Sequence, residues 1–440
     1  MHLCAPLTDL APLIDDRCGL IRRLHRFRFP SGFDGQMHGF MAVLGRPGAL
    51  HPGPCRVGQT LGALYGSGTA VDEATAQIRA VCEALERYCS VMYPMDGVLR
   101  ATPRSLGDRA LDPRRLPRCS ARERERAARA FRLREPDPDR DEFWIRGYSL
   151  THARPLWVPL TAAYLGLPLP IDEHTLFPLS TGFAAGVDFR QAILSALCEV
   201  IERDSLALFW LHQLPMPRLD LDRVPLSPAL RDLLRAGERA GAETTLLDLT
   251  TDVGVPVIGA IQTCGRAAPH AIAMGACRID AGAAALRVLE EVGSLRVALT
   301  SAADRRVTKA AFFTDAEQTP ETFGLLYAGP DGPARFRFAT NDAPVARELP
   351  APIVSDDPLA AIVNRLASLG METIVVDVTT PDVRDFGITV VKVIVPELMP
   401  ITFTHHARYL AHPRLYEAPR ALGYGERTEE TITDDPIPFA

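Results

Sequence analysis

Two apolar segments of the chain each carry two glutamates and one arginine at the same spacing. These residues are Glu83, Glu86 and Arg87 in the first segment and Glu199, Glu202 and Arg203 in the second. Residues three and four apart share one face of a helix, so each segment points two carboxylates and an arginine out of a surface that otherwise reads as core. Buried carboxylates are costly unless a cation or a metal pairs with them.

A single copy of this arrangement could be an internal salt bridge. Two copies, each preceded by a glycine-rich segment, instead indicate a divalent cation held between facing helices. The glycine-rich segments are Gly66-Ser67-Gly68 and STGFAAGVD at 180–188. Four carboxylates, two arginines and small-residue loops suit Mg²⁺ that carries the phosphate chain of a nucleotide. We therefore predict a phosphoryl-handling site on two helices, at 71–92 and 189–212.

The composition is that of an ordinary globular protein. The chain has 440 residues, of which 47% are hydrophobic and 23% are charged. The net charge of −6 argues against general nucleic-acid binding. No apolar run reaches the roughly 18 residues of a membrane span, and the first residues lack the pattern of a secretory signal. The nine cysteines form no C-x-x-C pair, which favours reduced thiols. We expect a cytoplasmic protein that binds neither nucleic acid nor membranes.

A second repeated pattern is a helix followed by two strands. Ser227-Pro228 begins one helix, which leads into TTLLDLTT and VPVIGAIQ. Asp357-Pro358 begins the other, which leads into TIVVDVTT and ITVVKVIVP. A capping residue followed by proline is a favourable helix start, and the two Asp-x-Thr-Thr sequences read as turns. The pattern predicts an α+β fold in which helix-and-sheet units are used twice around one central site, as a single domain over 1–440.

Other segments narrow the chemistry by exclusion. Residues 101–142 carry charges of alternating sign, which predicts a solvated helical insertion and not a nucleic-acid patch. The chain contains neither the Walker motif G-x-x-x-x-G-K-[ST] nor the nucleophile elbow G-x-S-x-G. His405, His406 and His412 fit no standard metal-ligand spacing, so we interpret them as loop residues.

The segment STGFAAGVDFRQAILSALCEVIERD resembles the signature of the YcaO family. Both carboxylate segments have the order and spacing of that family, and Arg287, Glu291 and Arg296 match a third helical element of it. Three C-terminal stretches, VVDVTTPDVRDFGITVVKVIVPEL, HPRLYEAPRALGYGE and DDPIPFA, are similar to the azoline-forming branch. The resemblance runs from about residue 12 to the last residue.

The resemblance implies the YcaO fold, with internally duplicated units around a central ATP site, and an ATP-dependent cyclodehydratase. In that reaction a Cys, Ser or Thr side chain of a ribosomally synthesised precursor peptide adds to the preceding backbone carbonyl. The oxyanion takes the γ-phosphoryl group of ATP, phosphate leaves with the oxygen, and a thiazoline or oxazoline remains. Because an amide oxygen is a poor leaving group, the main tasks of the enzyme are positioning and neutralising phosphate charge.

Roles for individual residues follow from matching positions within the family. The resemblance implies that Mg²⁺ is held by Glu83, Glu86, Glu199 and Glu202, which are also the expected catalytic carboxylates. It implies nucleotide contacts for Ser67, Arg87, Ser180, Gly182, Gln191, Arg203, Glu291 and Arg296. Four residues depart from the pattern of the family: Ser67 replaces a Lys or Arg, Gln191 an acidic residue, Ser294 a glutamine and Ala440 a terminal proline.

The proline-containing tail at 430–440 is a further expected part of the site. In the azoline formers of the family the proline-rich C-terminus ends beside the active site, which places Pro438 and Ala440 there. Two prolines limit the conformations of the tail and lower the entropy lost on docking. We predict that the tail lies against the nucleotide pocket, and that deleting its last five residues changes the melting temperature little.

The resemblance also implies partners. They are the precursor peptide, a separate partner protein that binds its leader, a flavin-dependent azoline dehydrogenase as a further candidate, and a second copy of the chain in a homodimer. Two alternatives stay open. A thioamide-forming YcaO enzyme would add external sulfide to the backbone carbonyl, although the proline tail favours azolines. A non-catalytic scaffold subunit of a peptide-modifying complex would turn over no ATP, and the four departures are compatible with it.

Overall fold

A computed structural model describes residues 11–29, 36–45, 65–126, 133–167, 173–302, 305, 307–314 and 319–439. The strands within these residues are β1 (Ile21–Phe27), β2 (His38–Leu44), β3 (Tyr65–Ala70), β4 (Leu99–Ala101), β5 (Glu142–Ser149), β6 (Arg154–Pro159), β7 (Phe183–Gly186), β8 (Arg218–Leu219), β9 (Ala242–Asp248), β10 (Val257–Cys264), β11 (Ala271–Cys277), β12 (Val345–Ala346), β13 (Ile374–Asp377) and β14 (Thr389–Ile394). The α-helices are α1 (Glu73–Val91), α2 (Pro103–Leu106), α3 (Ala121–Arg126), α4 (Leu160–Ala163), α5 (Phe189–Leu211), α6 (Pro228–Arg239), α7 (Ala281–Ser301), α8 (Lys309–Thr314), α9 (Pro320–Tyr327), α10 (Arg337–Thr340), α11 (Pro358–Ser368), α12 (Pro381–Arg384) and α13 (Arg414–Ala421).

The strands form three sheets. A three-stranded sheet has the order β1-β2-β3, and a five-stranded sheet has the order β11-β10-β9-β8-β12. A six-stranded sheet has the order β4-β5-β13-β14-β7, with β6 paired to β5. Strand β12 pairs with β8 in parallel, whereas the pairs that build the rest of these sheets are antiparallel. The mixture of long helices and largely antiparallel sheets confirms the predicted α+β class.

Each long helix follows a strand through an aspartate. The three units are β3–α1, β7–α5 and β11–α7, and the aspartates between strand and helix are Asp72, Asp188 and Asp280. The side chain of each aspartate accepts a hydrogen bond from the third residue of its helix, which satisfies one of the unpaired N–H groups of the first turn. Glu83, Glu199 and Glu291 follow their aspartates at the same interval. Because the cap fixes where each helix begins, the equal interval places Glu83, Glu199 and Glu291 at the same rotational position on their helices.

The repeated helix-and-two-strand pattern is confirmed. One copy is α6–β9–β10 and the other is α11–β13–β14, and the two strands of each copy pair antiparallel. Ser227 and Asp357 cap the two helices through their side chains. The two copies lie in different sheets. In the Asp-x-Thr-Thr sequences, Asp248 and Asp377 accept hydrogen bonds from the backbone two residues on, as the predicted turns require.

Residues 101–142 are less helical and more buried than the sequence predicts. The only helices that the described residues of this segment form are the short α-helices α2 and α3 and two single-turn 3-10 helices, and Leu111 and Leu116 are part of the main hydrophobic core. Arg115 forms ion pairs with Glu372 at 2.7 Å and with Glu397 at 2.5 Å. The prediction of a solvated helix is therefore wrong, because apolar residues between the charges anchor the segment.

A buried charge network ties the end of the chain to α5. Arg414 donates to Asp204 at 2.8 Å and to Asp252 at 2.6 Å, and the Arg414 and Asp204 side chains are only 5% and 0% exposed. The backbone N–H of Met399 donates to the same carboxylate of Asp204. Both charges are thus compensated, which is the condition for keeping them in the core.

Replacing Arg414 with Met is expected to lower the free energy of unfolding by about 3–5 kcal/mol, because Asp204 loses its principal cation while buried. Urea denaturation measures this quantity. Arg420→Met on the exposed side of the same helix is the matched control and is expected to stay within about 0.5 kcal/mol of the wild type. Equal midpoints for the two variants would contradict this account of the network.

No helix among the described residues combines the length and the apolar character needed to cross a membrane.

Candidate active site

Backbone amides fix Glu83 and Glu86, the two carboxylates of the first motif on α1. The N–H of Ser67 on β3 donates to Glu83 Oε2 at 2.6 Å, and the Ser67 hydroxyl donates to the same oxygen at 3.1 Å. The N–H of Ala185 on β7 donates to Glu86 Oε1 at 2.9 Å. Glu83 therefore binds the strand of its own unit, and Glu86 binds the strand of the next unit. Charge-assisted bonds of this kind are stronger than bonds between neutral groups and hold the carboxylates in one orientation.

Helix α5 repeats the arrangement. The N–H of Gly182, directly before β7, donates to Glu199 Oε2 at 3.0 Å, and the N–H of Cys277 on β11 donates to Glu202 Oε2 at 3.1 Å. On α7, Glu290 accepts from the N–H of Val71, directly after β3, at 3.0 Å. Each helix thus binds the strand of the following unit, and the third helix returns to the first strand.

The sequence predicts two helices that face each other, and the structure adds a strand that both helices contact. Helices α1 and α5 both pack on β7, so this strand links the two carboxylate pairs. Burial raises the pKa of Glu86 well above its usual range, and the charges of Glu199 and Glu83 add to this effect. Burial also raises the pKa of Glu202, again with a contribution from Glu199. Electrostatic coupling therefore runs from Glu83 through Glu86 and Glu199 to Glu202, which links the two carboxylate pairs.

Each arginine of the two motifs pairs with the carboxylates of its own helix. Arg87 contacts Glu83 Oε1 at 2.7 Å. Arg203 contacts Glu199 Oε1 at 3.4 Å and Glu202 Oε1 at 3.8 Å. In Glu83, Glu199 and Glu202, one oxygen is thus held by a backbone amide while the other faces a guanidinium. These outer oxygens and arginines can rearrange around a metal–phosphate group without disturbing the amide anchors.

The donor set fits Mg²⁺ held jointly with phosphate oxygens. Within the described ranges, no three His, Cys, Asp or Glu side chains are grouped as a ready-made metal site. Mg²⁺ is usually bound by one or two carboxylates, several waters and the phosphates of a substrate, and not by a complete protein cage. Burial, with the charges of Glu199 and Glu83, raises the pKa of Glu86, and a divalent cation nearby would favour its ionised form.

The first glycine-rich segment forms part of β3 and not a loop, and its glycines allow β3 to approach α1 closely. A Cβ on Gly66 would lie 2.2 Å from the backbone of Ala84, and a Cβ on Gly68 would lie 2.1 Å from that of Ala76. Both glycines are therefore required for the packing of the strand on the helix. Ser67, between them, uses its N–H and its hydroxyl to hold Glu83. The departure from a basic residue at this position thus adds an anchor for a carboxylate.

The other residues predicted to contact the nucleotide each have a different hydrogen-bond or ion-pair partner. Arg287 forms an ion pair with Glu291 on α7. The backbone N–H of Gln191 belongs to the cap of α5, and Ser180 accepts a hydrogen bond from Phe183 in the turn. Arg296 donates to Gln262 on β10, at 2.5 Å for its shorter bond. Nucleotide binding by these residues stays a prediction.

The C-terminal tail is packed against α5, the helix that carries Glu199 and Glu202. Ile437 and Phe439 are buried, and the ring of Phe439 lies 6.4 Å from that of Trp210. The hydroxyl of Tyr327 donates to the carbonyl of Pro436, and Trp210 Nε1 donates to that of Asp435. Pro438 is buried as well, whereas Ala440 lies outside the described residues. The tail is therefore a packed element, and its catalytic role stays a prediction.

Sequence reasoning gave no role to two residues near the site. Glu290 on α7 is paired with Arg79 of α1 at 2.5 Å in addition to its bond from Val71. Lys392 on β14 is 3% exposed and donates to the carbonyls of Leu179 and Thr181. Burial lowers the pKa of Lys392 to about 7, and the charge of Glu199 acts in the opposite direction. The feature of the sequence that could have indicated a role for Lys392 is its position as the single charged residue in the apolar run ITVVKVIVP.

Comparison with known proteins agrees with this geometry. The family model described as YcaO cyclodehydratase, ATP- and Mg²⁺-binding, matches residues 67–399. The chain belongs to the YcaO family. ATP and Mg²⁺ are the cofactors of that family, which confirms the prediction of both.

Solved structures show the same fold. A heterocyclase in complex with substrate and cofactor is 25% identical, with a TM-score of 0.77, over 97% of this chain and 56% of that chain. The heterocyclase TruD is 27% identical, with a TM-score of 0.65, over 82% of this chain and 50% of that chain. The chain thus spans about half the length of these two heterocyclases. The YcaO protein of Methanopyrus kandleri bound with AMPPCP and Mg²⁺ has a TM-score of 0.59 at 19% identity, over 86% of each chain.

Proposed function

We propose that the protein is an ATP-dependent cyclodehydratase that converts Cys, Ser or Thr residues of a ribosomally synthesised precursor peptide into azolines. The observation that carries the proposal is the set of four glutamates on α1 and α5, each oriented by a backbone amide, in a member of the YcaO family. The likeness to a heterocyclase in complex with substrate and cofactor supports a heterocycle-forming reaction. The cytoplasm is the proposed location, because ATP and newly made peptides are both present there.

The residues of the chain act by binding and orienting. When bound, Mg-ATP supplies the γ-phosphoryl group that turns an amide oxygen into a leaving group. Glu83, Glu86, Glu199 and Glu202 hold the metal in this proposal. Arg87 and Arg203 meet phosphate oxygens and offset their charge. The amide anchors keep the carboxylates in place before the substrate arrives, so little reorganisation is needed during the reaction.

The peptide chemistry balances as follows. The side-chain sulfur or oxygen of the substrate bonds to the preceding carbonyl carbon, and its proton is lost to solvent. The resulting oxyanion bonds to the γ-phosphorus as ADP leaves. The amide nitrogen then loses its proton, forms the C=N bond and expels phosphate with the former carbonyl oxygen. The net change in the peptide is the loss of one water per azoline.

We expect mass spectrometry to show the precursor lighter by one water for each azoline, with one phosphate released per azoline. The reaction mixture contains the purified chain, ATP, Mg²⁺, the precursor and the partner that binds its leader. A heavier product, with sulfur in place of oxygen when sulfide is supplied, would support thioamide formation instead. No ATP turnover in the complete mixture would support a scaffold subunit. The proline-containing tail, which is packed in the structure, favours azoline formation over thioamide formation.

The proposed partners are the precursor peptide, a separate leader-binding protein, a flavin-dependent azoline dehydrogenase and a second copy of the chain. Copurification from cells that express the neighbouring genes tests the first three. Sedimentation of the purified chain tests the homodimer, and a monomer at micromolar concentration would contradict it.

A further inference from the structure

The turn before β7 supplies one anchor of the site. The N–H of Gly182 in this turn donates to Glu199. Gly182 has a φ of 88°, and a Cβ at this position would lie 2.3 Å from the carbonyl oxygen of Val393. The carbonyl of Gly182 in turn accepts from the N–H of Val393 at 2.7 Å. The backbone of the turn is therefore in direct contact with β14.

Lys392 is the side chain that holds this turn from the β14 side. Its Nζ donates to the carbonyl of Leu179 at 2.7 Å and to that of Thr181 at 2.5 Å. The same Nζ lies 4.3 Å from the centre of the Phe183 ring, within the range of a cation–π contact. All three contacts fall within residues 179–183, a five-residue segment that includes Gly182. The charge of the lysine is thus directed at the turn.

A lysine at this position needs an explanation, because it is costly to bury an ammonium group. The neighbouring residues of β14 are valine and isoleucine, which suit a buried strand. A cavity of about 50 Å³, whose lining includes Thr181 and Val200, lies beside the turn. The cavity leaves part of this side unfilled, and the hydrogen bonds of Lys392 tie the turn to β14 there.

We propose that Lys392 is a positioning residue of the active site, which fixes the turn at 179–183 so that the Gly182 N–H orients Glu199 for the metal–nucleotide group. The inference rests on the proposed function in one respect: the metal and the nucleotide are taken to bind at the four glutamates of α1 and α5. Lys392 does not touch the reacting atoms in this proposal. Its effect reaches them through Gly182 and Glu199.

The test uses Lys392→Met, which keeps an unbranched side chain one atom shorter and removes the three N–H donors. Val391→Ala is the matched control, since Val391 is buried on the same strand with its side chain on the other face. Calorimetry measures the Kd of the Mg²⁺ complex of AMPPCP, a non-hydrolysable ATP analogue. Hydrogen exchange of the nucleotide-free proteins measures the protection of the amides at 181–183.

For Lys392→Met we expect the Kd to rise about tenfold or more, as for supporting residues of metal sites, and faster exchange confined to the turn. For Val391→Ala we expect a lower melting temperature with the Kd and the protection of the turn unchanged. Lys392→Gln keeps one donor group, is expected to give an intermediate Kd, and carries the test if the Met variant does not fold.

Two results would overturn the positioning role. One is a wild-type Kd in the lysine variants, and the other is an equal loss of affinity in Val391→Ala. Failure of the wild-type chain to bind Mg-AMPPCP is a different result, because it would contradict the proposed function and not the contacts of Lys392 with the turn. In that case the exchange of the turn amides still decides whether Lys392 fixes the turn.

Discussion

Glu202→Gln is expected to reduce ATP-dependent azoline formation by about 10²-fold or more while the protein stays folded. The side chain keeps its shape, and its amide oxygen can still accept from the N–H of Cys277. The negative charge that would bind Mg²⁺ is lost, and preorganised electrostatic groups commonly contribute this much to kcat. Single-turnover assays with the precursor peptide measure the rate, and calorimetry measures binding of Mg-AMPPCP.

Glu238→Gln on the exposed face of α6 is the matched control, since it makes the same chemical change away from the site. We expect it to retain the wild-type rate. The melting temperature of Glu202→Gln should be equal to or above that of the wild type, because the change removes a charge that burial disfavours. Full activity of Glu202→Gln would show that the metal site has been assigned to the wrong residues.

Deletion of Pro436 to Ala440 is expected to reduce azoline formation by orders of magnitude at saturating ATP and peptide. The deleted residues cover the C-terminal part of α5 and include the buried Ile437 and Phe439. The sequence alone predicts little change in melting temperature, but this packing leads us to expect a clear decrease. Loss of a buried phenylalanine side chain by itself costs about 3–5 kcal/mol.

A destabilised control separates the two effects of the deletion. Leu359→Ala removes a buried side chain from α11, a different helix, and should lower the melting temperature without changing the tail. Both proteins are assayed below the lower of their melting temperatures. If the truncated chain and Leu359→Ala show equal rates, the tail has only a structural role. A short Gly-Ser extension after Ala440 further tests whether the terminus must be free.

The carboxylate helices were predictable because their chemistry is local. Apolar residues around glutamates three apart define a helix face from sequence alone, and the structure gives α1 and α5 bounds close to the predicted ones. The duplicated helix-and-two-strand units were predictable for the same reason. Their capping residues, prolines and turn aspartates all lie within a few positions of the elements that they delimit.

The anchors of the site were not predictable, since they join residues far apart in the chain. The bond from Ala185 to Glu86, and that from Val71 to Glu290, depend on the packing of one unit against another. A backbone N–H donor leaves no trace in residue type. The segment at 101–142 was misread because its few apolar residues, such as Leu111, decide its burial, whereas charge alternation dominates its composition.

The cyclic order of the helix-to-strand bonds has a consequence for folding. Glu86 binds the second unit, Glu202 binds the third, and Glu290 closes the circuit on the first. The anchors of the four glutamates on α1 and α5 are therefore complete only after β11 has joined α5, and the bond from Val71 to Glu290 then closes a loop of 219 residues. Closing so long a loop early carries an entropic cost that local contacts do not offset. If the nucleotide binds at these four glutamates, its affinity should consequently appear late in refolding, after β11 has packed against α5.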